Sequence, residues 1–218
     1  MIRTFNEILE NSKQELTQEV ENLKNRKLLL RMTGSQFREL FLIKANKIIM
    51  QRGIKREFEF TDENQKLMKQ LFYYFTDNEK FEGDHNKGIL ILGTNGIGKT
   101  LILQVFIEVL NDAEEWVITK IHAKELAMEI KLNGFKICKK RFIFVDDIGK
   151  ESRDVNDYGT KMQPIADFLA LRYDSGRTTF ATANYKLETL IDLYGNTTVD
   201  RMKEMFNVIV LGGTSFRK

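Results

Sequence analysis

Eight consecutive residues, Gly93-Thr94-Asn95-Gly96-Ile97-Gly98-Lys99-Thr100, match the spacing GxxxxGK[ST] at every fixed position. The chemistry open to such a run is the holding of phosphate. Glycines let backbone N–H groups curl round the terminal phosphates of a nucleotide, and a helix starting there adds partial positive charge. Lys99 would neutralise phosphate oxygens, the Thr100 hydroxyl would ligate Mg²⁺, and Leu101 would complete the nucleotide-binding run. A glycine-rich turn before a helix can also arise without function. Here an apolar strand (GILIL) precedes the run and an apolar helix (LILQVFIEVL) follows it, which is the context the phosphate reading requires.

A second element supplies carboxylates. Phe142-Ile143-Phe144-Val145 is wholly apolar and ends in Asp146-Asp147. Such a run suits a strand buried on both faces of a parallel sheet, whose C-terminal end opens on the crevice where ligands bind. Asp146 is then placed to hold Mg²⁺ through water, and Asp147 to orient or deprotonate an attacking water. Glu151 is near enough in sequence to compete for the second role. Paired aspartates after a strand are often a mere surface turn; the phosphate loop in the same chain favours the metal site.

Positioning these groups demands alternating strands and helices. Apolar periodicity predicts strands near 88–92, 115–119, 141–146, 178–183 and 207–211. It predicts helices near 99–111, 122–132, 164–174, 187–193 and 197–205, with Pro164 suited to a first helical turn. The fold class is therefore α/β, a parallel sheet with crossover helices on both faces, over residues 88–218. A length of 218 residues, 42% of them hydrophobic, supplies one well-buried core plus a small extra segment and excludes wholesale disorder. No apolar run approaches the ~18 residues of a membrane span, and the N-terminus is too polar for a secretory segment. A cytoplasmic protein with no membrane partner is expected. The one cysteine, Cys138, excludes an intramolecular disulfide, and with only His85 and His122 beside it no Cys-based zinc site can form. These three residues show no evident role, and Trp116 and Tyr73–Phe75 read as core.

The net charge of +3 hides an asymmetry: residues 1–23 carry −3, residues 24–56 carry +9, and the remainder −3. Ten basic side chains between Lys24 and Arg56 face Glu39 alone, a density that could draw in phosphate backbone or an acidic protein face, or could simply be a solvated helix surface. Phe5, Ile8, Leu9, Leu16, Val20 and Leu23 mark one helix; Phe37, Leu40, Phe41 and Ile48 mark a second between Thr33-Gly34-Ser35 and Gly53. Helices of this size cannot enclose a core alone. Residues 1–56 are thus either an arm for a partner or DNA, or a segment docked on the rest. Residues 57–87 read as a lead-in: a possible strand at Arg56–Phe60, a helix capped by Asp62 with Gln65, and a charged loop over 77–87. A further basic cluster, Lys131, Lys136, Lys139, Lys140 and Arg141, surrounds Phe135 and could hold single-stranded nucleic acid against an aromatic ring, or be a solvated loop.

The order GTNGIGKT, FIFVDDIGKES, TTFATANY, YGNTTVDRM and GGTSFRK resembles AAA+ ATPases of the DnaC/DnaI helicase-loader type, with the IstB transposition ATPases as close kin. The resemblance covers roughly residues 88–218. It implies an AAA+-like core binding ATP and Mg²⁺, with little or no C-terminal lid because the chain stops after Arg217. Asn184 then looks like the sensor 1 residue, Arg201 like an arginine finger acting on a neighbour's nucleotide, and Arg217 like the sensor 2 arginine. Each has a plainer alternative: Asn184 a helix cap, Arg201 a surface residue, Arg217 a chain end prone to fraying. The chain lacks the cysteine-rich zinc module that such loaders often carry at the N-terminus.

The function this implies is ATP binding and hydrolysis in DNA replication, loading a replicative helicase onto single-stranded DNA. Self-association through a shared ATP site would stimulate turnover, since a finger supplied in trans can contribute ~10³-fold or more. An IstB-like transposition helper shares the same core. A small-molecule kinase on the same loop is disfavoured by the sensor and finger motifs and by the lack of an acceptor-binding lid.

Overall fold

The apolar runs read as buried strands pair into one parallel sheet. A computed structural model describes residues 5–24, 28–113, 117–151, 155–157, 160–213 and 215–216. Three helices come first: α1 (Phe5–Lys24), α2 (Gly34–Gln51) and α3 (Asp62–Phe75). β1 (Gly88–Leu92) and α4 (Lys99–Ala113) flank the glycine-rich loop, followed by β2 (Ile118–His122), α5 (Ala123–Asn133) and a 3-10 turn (Gly134–Lys139). Then come β3 (Phe142–Ile148), an antiparallel hairpin of β4 (Val155–Asp157) and β5 (Thr160–Met162), and α6 (Pro164–Asp174). β6 (Thr179–Ala183), α7 (Leu187–Tyr194), α8 (Asn196–Met205) and β7 (Phe206–Val210) complete the order.

The sheet runs β2-β3-β6-β1-β7, every neighbouring pair parallel. Side chains alternate across it with the period of two that a strand imposes. Ile89, Ile91, Phe142, Phe144 and Phe180 enter one core; Leu90, Leu92, Ile143, Val145, Ala181 and Ala183 enter the other. Both faces are covered, which is why these strands are apolar throughout.

The first core decides the fate of the N-terminal helices. α2 and α3 pack with α4 through buried phenylalanines: the Phe37 and Phe106 rings are 4.5 Å apart, and Phe75 lies 5.7 Å from Phe106 and 5.6 Å from Phe180. Residues 34–75 are thus docked on the sheet rather than held out as an arm. On α1, Leu9 and Leu16 are exposed.

Several boundaries moved from the expected positions for identifiable reasons. The second strand begins at Ile118, not near 115, because the Asn111 side chain pairs with both the N–H and the C=O of Ile118 and pins its start; Trp116 lies outside the described residues. α3 is capped one residue earlier than expected. Thr61 Oγ1 accepts from Asn64 N, Asn64 Oδ1 accepts from Thr61 N at 3.0 Å, and buried Asn64 Nδ2 donates to Glu59 O. Asp62 falls instead in the first turn, where its charge suits the helix dipole. Residues 56–60 form no strand, and the hairpin β4–β5 was not foreseen.

Candidate phosphate-binding site

The three segments that carry the chemistry leave adjacent strands at the same C-terminal edge of the sheet. β1 leads into the glycine-rich loop, β3 into Asp146-Asp147, and β6, which lies between them, into Asn184. Gly93 must be glycine: its φ is 151°, and a Cβ there would stand 2.4 Å from Leu211 O and 2.7 Å from Ile97 Cδ1. Lys99 is only 4% exposed, so its ammonium has to find acceptors inside. It donates to Gly93 O at 2.9 Å, Thr94 O at 2.8 Å and Asn184 Oδ1 at 2.7 Å. Phosphate oxygens are the stronger acceptors that could replace them.

Asp146 is 8% exposed, and its Oδ1 accepts from Thr100 Oγ1 at 2.7 Å and from Thr182 Oγ1 at 2.6 Å. A buried carboxylate held by hydroxyls is short of positive charge. Lys120, whose ammonium donates to Gln104 Oε1 at 2.6 Å, adds some through space, although desolvation lowers its own pKa. The Thr100–Asp146 pair beside the loop fits a small hard cation such as Mg²⁺, which takes one or two carboxylates and completes its octahedron with water and phosphate oxygens. Among the described residues no group of three or more His, Cys, Asp or Glu could hold a metal, so a cation here would depend on the nucleotide for further oxygens.

Asp147 owes its aim to a bulge. Val145 pairs with Ala181 but Ile148 with Ala183, so β3 spends one extra residue between these pairs, and Asp147 takes φ 62°. In an unbroken strand two consecutive aspartates would point to opposite faces. The left-handed residue costs about 1–2 kcal/mol and is best tolerated by Asn, Asp or Gly. Asp147 N donates to Thr182 Oγ1 at 3.0 Å, and Asn184 Nδ2 donates to Asp147 Oδ1. Asn184 therefore joins Lys99 to Asp147.

Glu151 is engaged elsewhere. Its Oε2 accepts from Gly149 N at 2.9 Å and its Oε1 from the Tyr194 hydroxyl, whose pKa burial and this carboxylate push up. Arg201 is half-buried on α8, with Cζ 5.5 Å from the Tyr173 ring centroid of α6. Tyr173 in turn donates to Glu204 at 2.6 Å. Arg217 lies outside the described residues.

A cleft of about 890 Å³, partly open to solvent, adjoins the loop. Residues 95–102, Asp147 and Asn184 line it together with Ile49, Ile54, Phe58, Asn64 and Phe216. Phe216 N donates to Gly96 O at 3.0 Å, and Arg56 Cζ sits 5.2 Å from the Phe216 ring centroid. Arg52 and Arg56, counted in the basic stretch, thus face this cleft, while Lys44 pairs with Asp112 and Arg38 stacks at 3.7 Å on Phe60. No local pattern points to these further lining residues, which come from parts of the chain far apart in number. His122, which showed no evident role, is also at the site. Its Nδ1 accepts from Lys124 N at 3.2 Å, so its proton sits on Nε2, 3.7 Å from Asp147 Oδ2. In the other basic cluster Phe135 packs against the second core, while Lys131, Lys136, Lys139, Lys140 and Arg141 are exposed around it.

Solved structures share this architecture. The DnaC helicase loader superposes with a TM-score of 0.55 at 20% identity, over 71% of this chain and 93% of that one. The chain has the P-loop NTPase fold of DnaC. DnaI shares that fold with a TM-score of 0.53 at 19% identity, over 71% of this chain and 88% of its own. A putative primosome component from Streptococcus pyogenes serotype M3 matches at 0.56 and 18% identity, over 89% and 97% of the two chains. At the level of the P-loop NTPase fold, the resemblance read from the motifs is borne out. No protein-family model and no curated protein matches the sequence. No described helix is long and apolar enough to cross a membrane.

Proposed function

We propose that this chain is an ATP-binding and hydrolysing DNA replication protein that loads a replicative helicase onto single-stranded DNA. The observation that carries the reading is the network at the strand ends, where Lys99, Asn184, Asp147, Thr182, Asp146 and Thr100 are joined by successive hydrogen bonds. In this reading the loop from Gly93 to Thr100 wraps the phosphates, and the base occupies the cleft between the loop and Ile54, Phe58 and Phe216. Thr100 and Asp146 would hold Mg²⁺, which would neutralise charge on the phosphate oxygens. Asp147 holds the attacking water in line with the terminal phosphate, and the engagement of Glu151 with Gly149 and Tyr194 favours Asp147 for that role. Asn184 positions the water or the terminal phosphate beside it. Catalysis of this type is mostly positioning and electrostatic stabilisation, which a network of fixed donors can supply.

Arg201 acts across a subunit boundary, a role supported by its absence from the lining of the cleft beside its own loop. Turnover therefore depends on assembly. The fold shared with the DnaC helicase loader and the motif order support helicase loading, and the exposed cations around Phe135 support a contact with the DNA backbone. The deciding experiment measures ATP hydrolysis against protein concentration, with and without single-stranded DNA, and pairs it with recovery of bound partners. Turnover that rises with both variables, with a hexameric helicase recovered, is the expected result. Concentration-independent turnover would remove the shared site, and recovery of a transposase would replace loading with an IstB-like role.

A further inference from the structure

Both carboxylate oxygens of Asp147 are occupied, and one occupant is a lysine to which the motifs assign nothing. Lys150 Nζ lies 2.8 Å from Asp147 Oδ2 and 3.4 Å from Asn95 Oδ1. One ammonium therefore spans from the end of β3 to the glycine-rich loop. The other oxygen, Oδ1, accepts from Asn184 Nδ2, and His122 Nε2 stands 3.7 Å from Oδ2. A carboxylate has about four lone-pair sites, so a water can still reach Asp147, but at Oδ2 it must compete with the Lys150 ammonium. In the arrangement found, the residue best placed to orient water is thus ion-paired to Lys150 through Oδ2.

We propose that Lys150 senses the terminal phosphate: its ammonium leaves Asp147 for the γ-phosphate of a bound nucleoside triphosphate, and Asp147 Oδ2 is thereby released to hold water. This deepens the ATPase reading and rests on it. The exchange makes and breaks no covalent bond; one ion pair replaces another. Four features of Lys150 suit it to the task. Its side chain is 32% exposed, so it can swing without disturbing the core. Its backbone is anchored by the turn in which Lys150 N donates to Asp147 O at 3.3 Å, which keeps the ammonium within reach of both acceptors. Its contact with Asn95 already places it over the loop. A lysine, finally, is a compact point charge on a flexible stem, suited to trading one anion for another.

The preference follows from charge. A terminal phosphate carries about −1.5 to −2 against the single charge of a carboxylate, and it offers three strong acceptor oxygens. A diphosphate ends one group short, so with ADP the ammonium stays on Asp147 and the carboxylate stays tied. Lys150 therefore couples release of the water-holding group to the presence of the group to be cleaved. The left-handed backbone of Asp147 and its N–H bond to Thr182 keep that carboxylate in place once the lysine has left.

The test is calorimetric titration of the full chain with Mg-AMP-PNP and with Mg-ADP, comparing wild type, Lys150→Met and Lys150→Arg. Lys150→Met is expected to weaken the triphosphate analogue by about 10-fold or more, the loss of one charged hydrogen bond, while leaving ADP affinity unchanged. Lys150→Arg is expected to keep the wild-type preference. Thermal melting checks that the variants fold, and Lys150→Gln replaces the methionine variant if it does not. An unchanged triphosphate-to-diphosphate ratio in the neutral variant, or an equal loss for both ligands, overturns the sensing role alone. A wild-type protein that binds neither nucleotide overturns the ATPase reading and the role of Lys150 with it.

Discussion

Asn184 Oδ1 accepts from Lys99 Nζ at 2.7 Å, so the residue that follows β6 reaches into the loop that follows β1. The same amide donates through Nδ2 to Asp147. One side chain therefore fixes the spacing between the phosphate-holding cation and the carboxylate that would hold water. Replacing Asn184 by Ala is expected to slow ATP turnover far more than it weakens ATP binding, because Lys99 keeps its acceptors on Gly93 and Thr94. Steady-state rates alongside direct binding measurements check this, and a matching loss in both would reduce Asn184 to a structural role.

Lys99→Ala removes a buried ammonium with its three hydrogen bonds. Its bonds to phosphate would be charged ones, each contributing about 1.5–3 kcal/mol, so Mg-ATP affinity should fall by about 10- to 100-fold. Fluorescence titration with a labelled nucleotide reads the change. Unaltered affinity would contradict the site.

Asp147→Asn keeps a residue type that accepts the left-handed backbone at φ 62°, so the melting temperature should stay close to wild type. The uncharged amide cannot take a proton from water. Hydrolysis should collapse while ATP binding persists; turnover near the wild-type rate would move the role away from Asp147.

Arg201→Ala should bind ATP normally, since Arg201 does not line the cleft beside its own loop, yet lose stimulated hydrolysis. Mixed with Lys99→Ala protein, it should recover part of the rate, because one subunit then offers an intact loop and its neighbour an intact arginine. Absence of any recovery across a range of mixing ratios would count against a shared site.

Phe37→Ala tests the docking of α2. Phe37 is 4% exposed and meets the rings of Phe41, Phe72 and Phe106 at 5.8, 5.4 and 4.5 Å. Truncating a buried aromatic costs about 3–5 kcal/mol, which denaturant unfolding would report. Since Ile49 and Arg52 from the far end of α2 reach the cleft, nucleotide affinity should fall as well. A stability change confined to a separate early transition would mean that α2 folds independently of the sheet.

The chemistry carried by contiguous residues was readable without coordinates. Gly93 to Thr100 and Asp146-Asp147 are local patterns whose meaning lies in adjacent positions, and the strands around them announce themselves by unbroken apolar runs buried on two faces. The α/β class followed from the same local periodicity, and most elements fell within a few residues of their expected bounds. Boundaries shifted where a neighbouring side chain took up backbone groups, as Asn111 does at Ile118 and Asn64 does at Thr61.

What the sequence determined by itself, then, is the set of chemical groups and the class of scaffold, because hydrophobic periodicity and loop motifs are written over a few neighbouring residues. Tertiary structure alone decided which distant groups meet: that Thr182 braces Asp146, that His122 and Lys150 crowd Asp147, that Glu151 is taken up by Tyr194, and that Ile54, Phe58 and Phe216 wall the cleft. Those meetings depend on the strand order β2-β3-β6-β1-β7 and on one bulge in β3. Strand order is set by the packing of both sheet faces at once, a balance of long-range contacts that no local stretch of residues encodes.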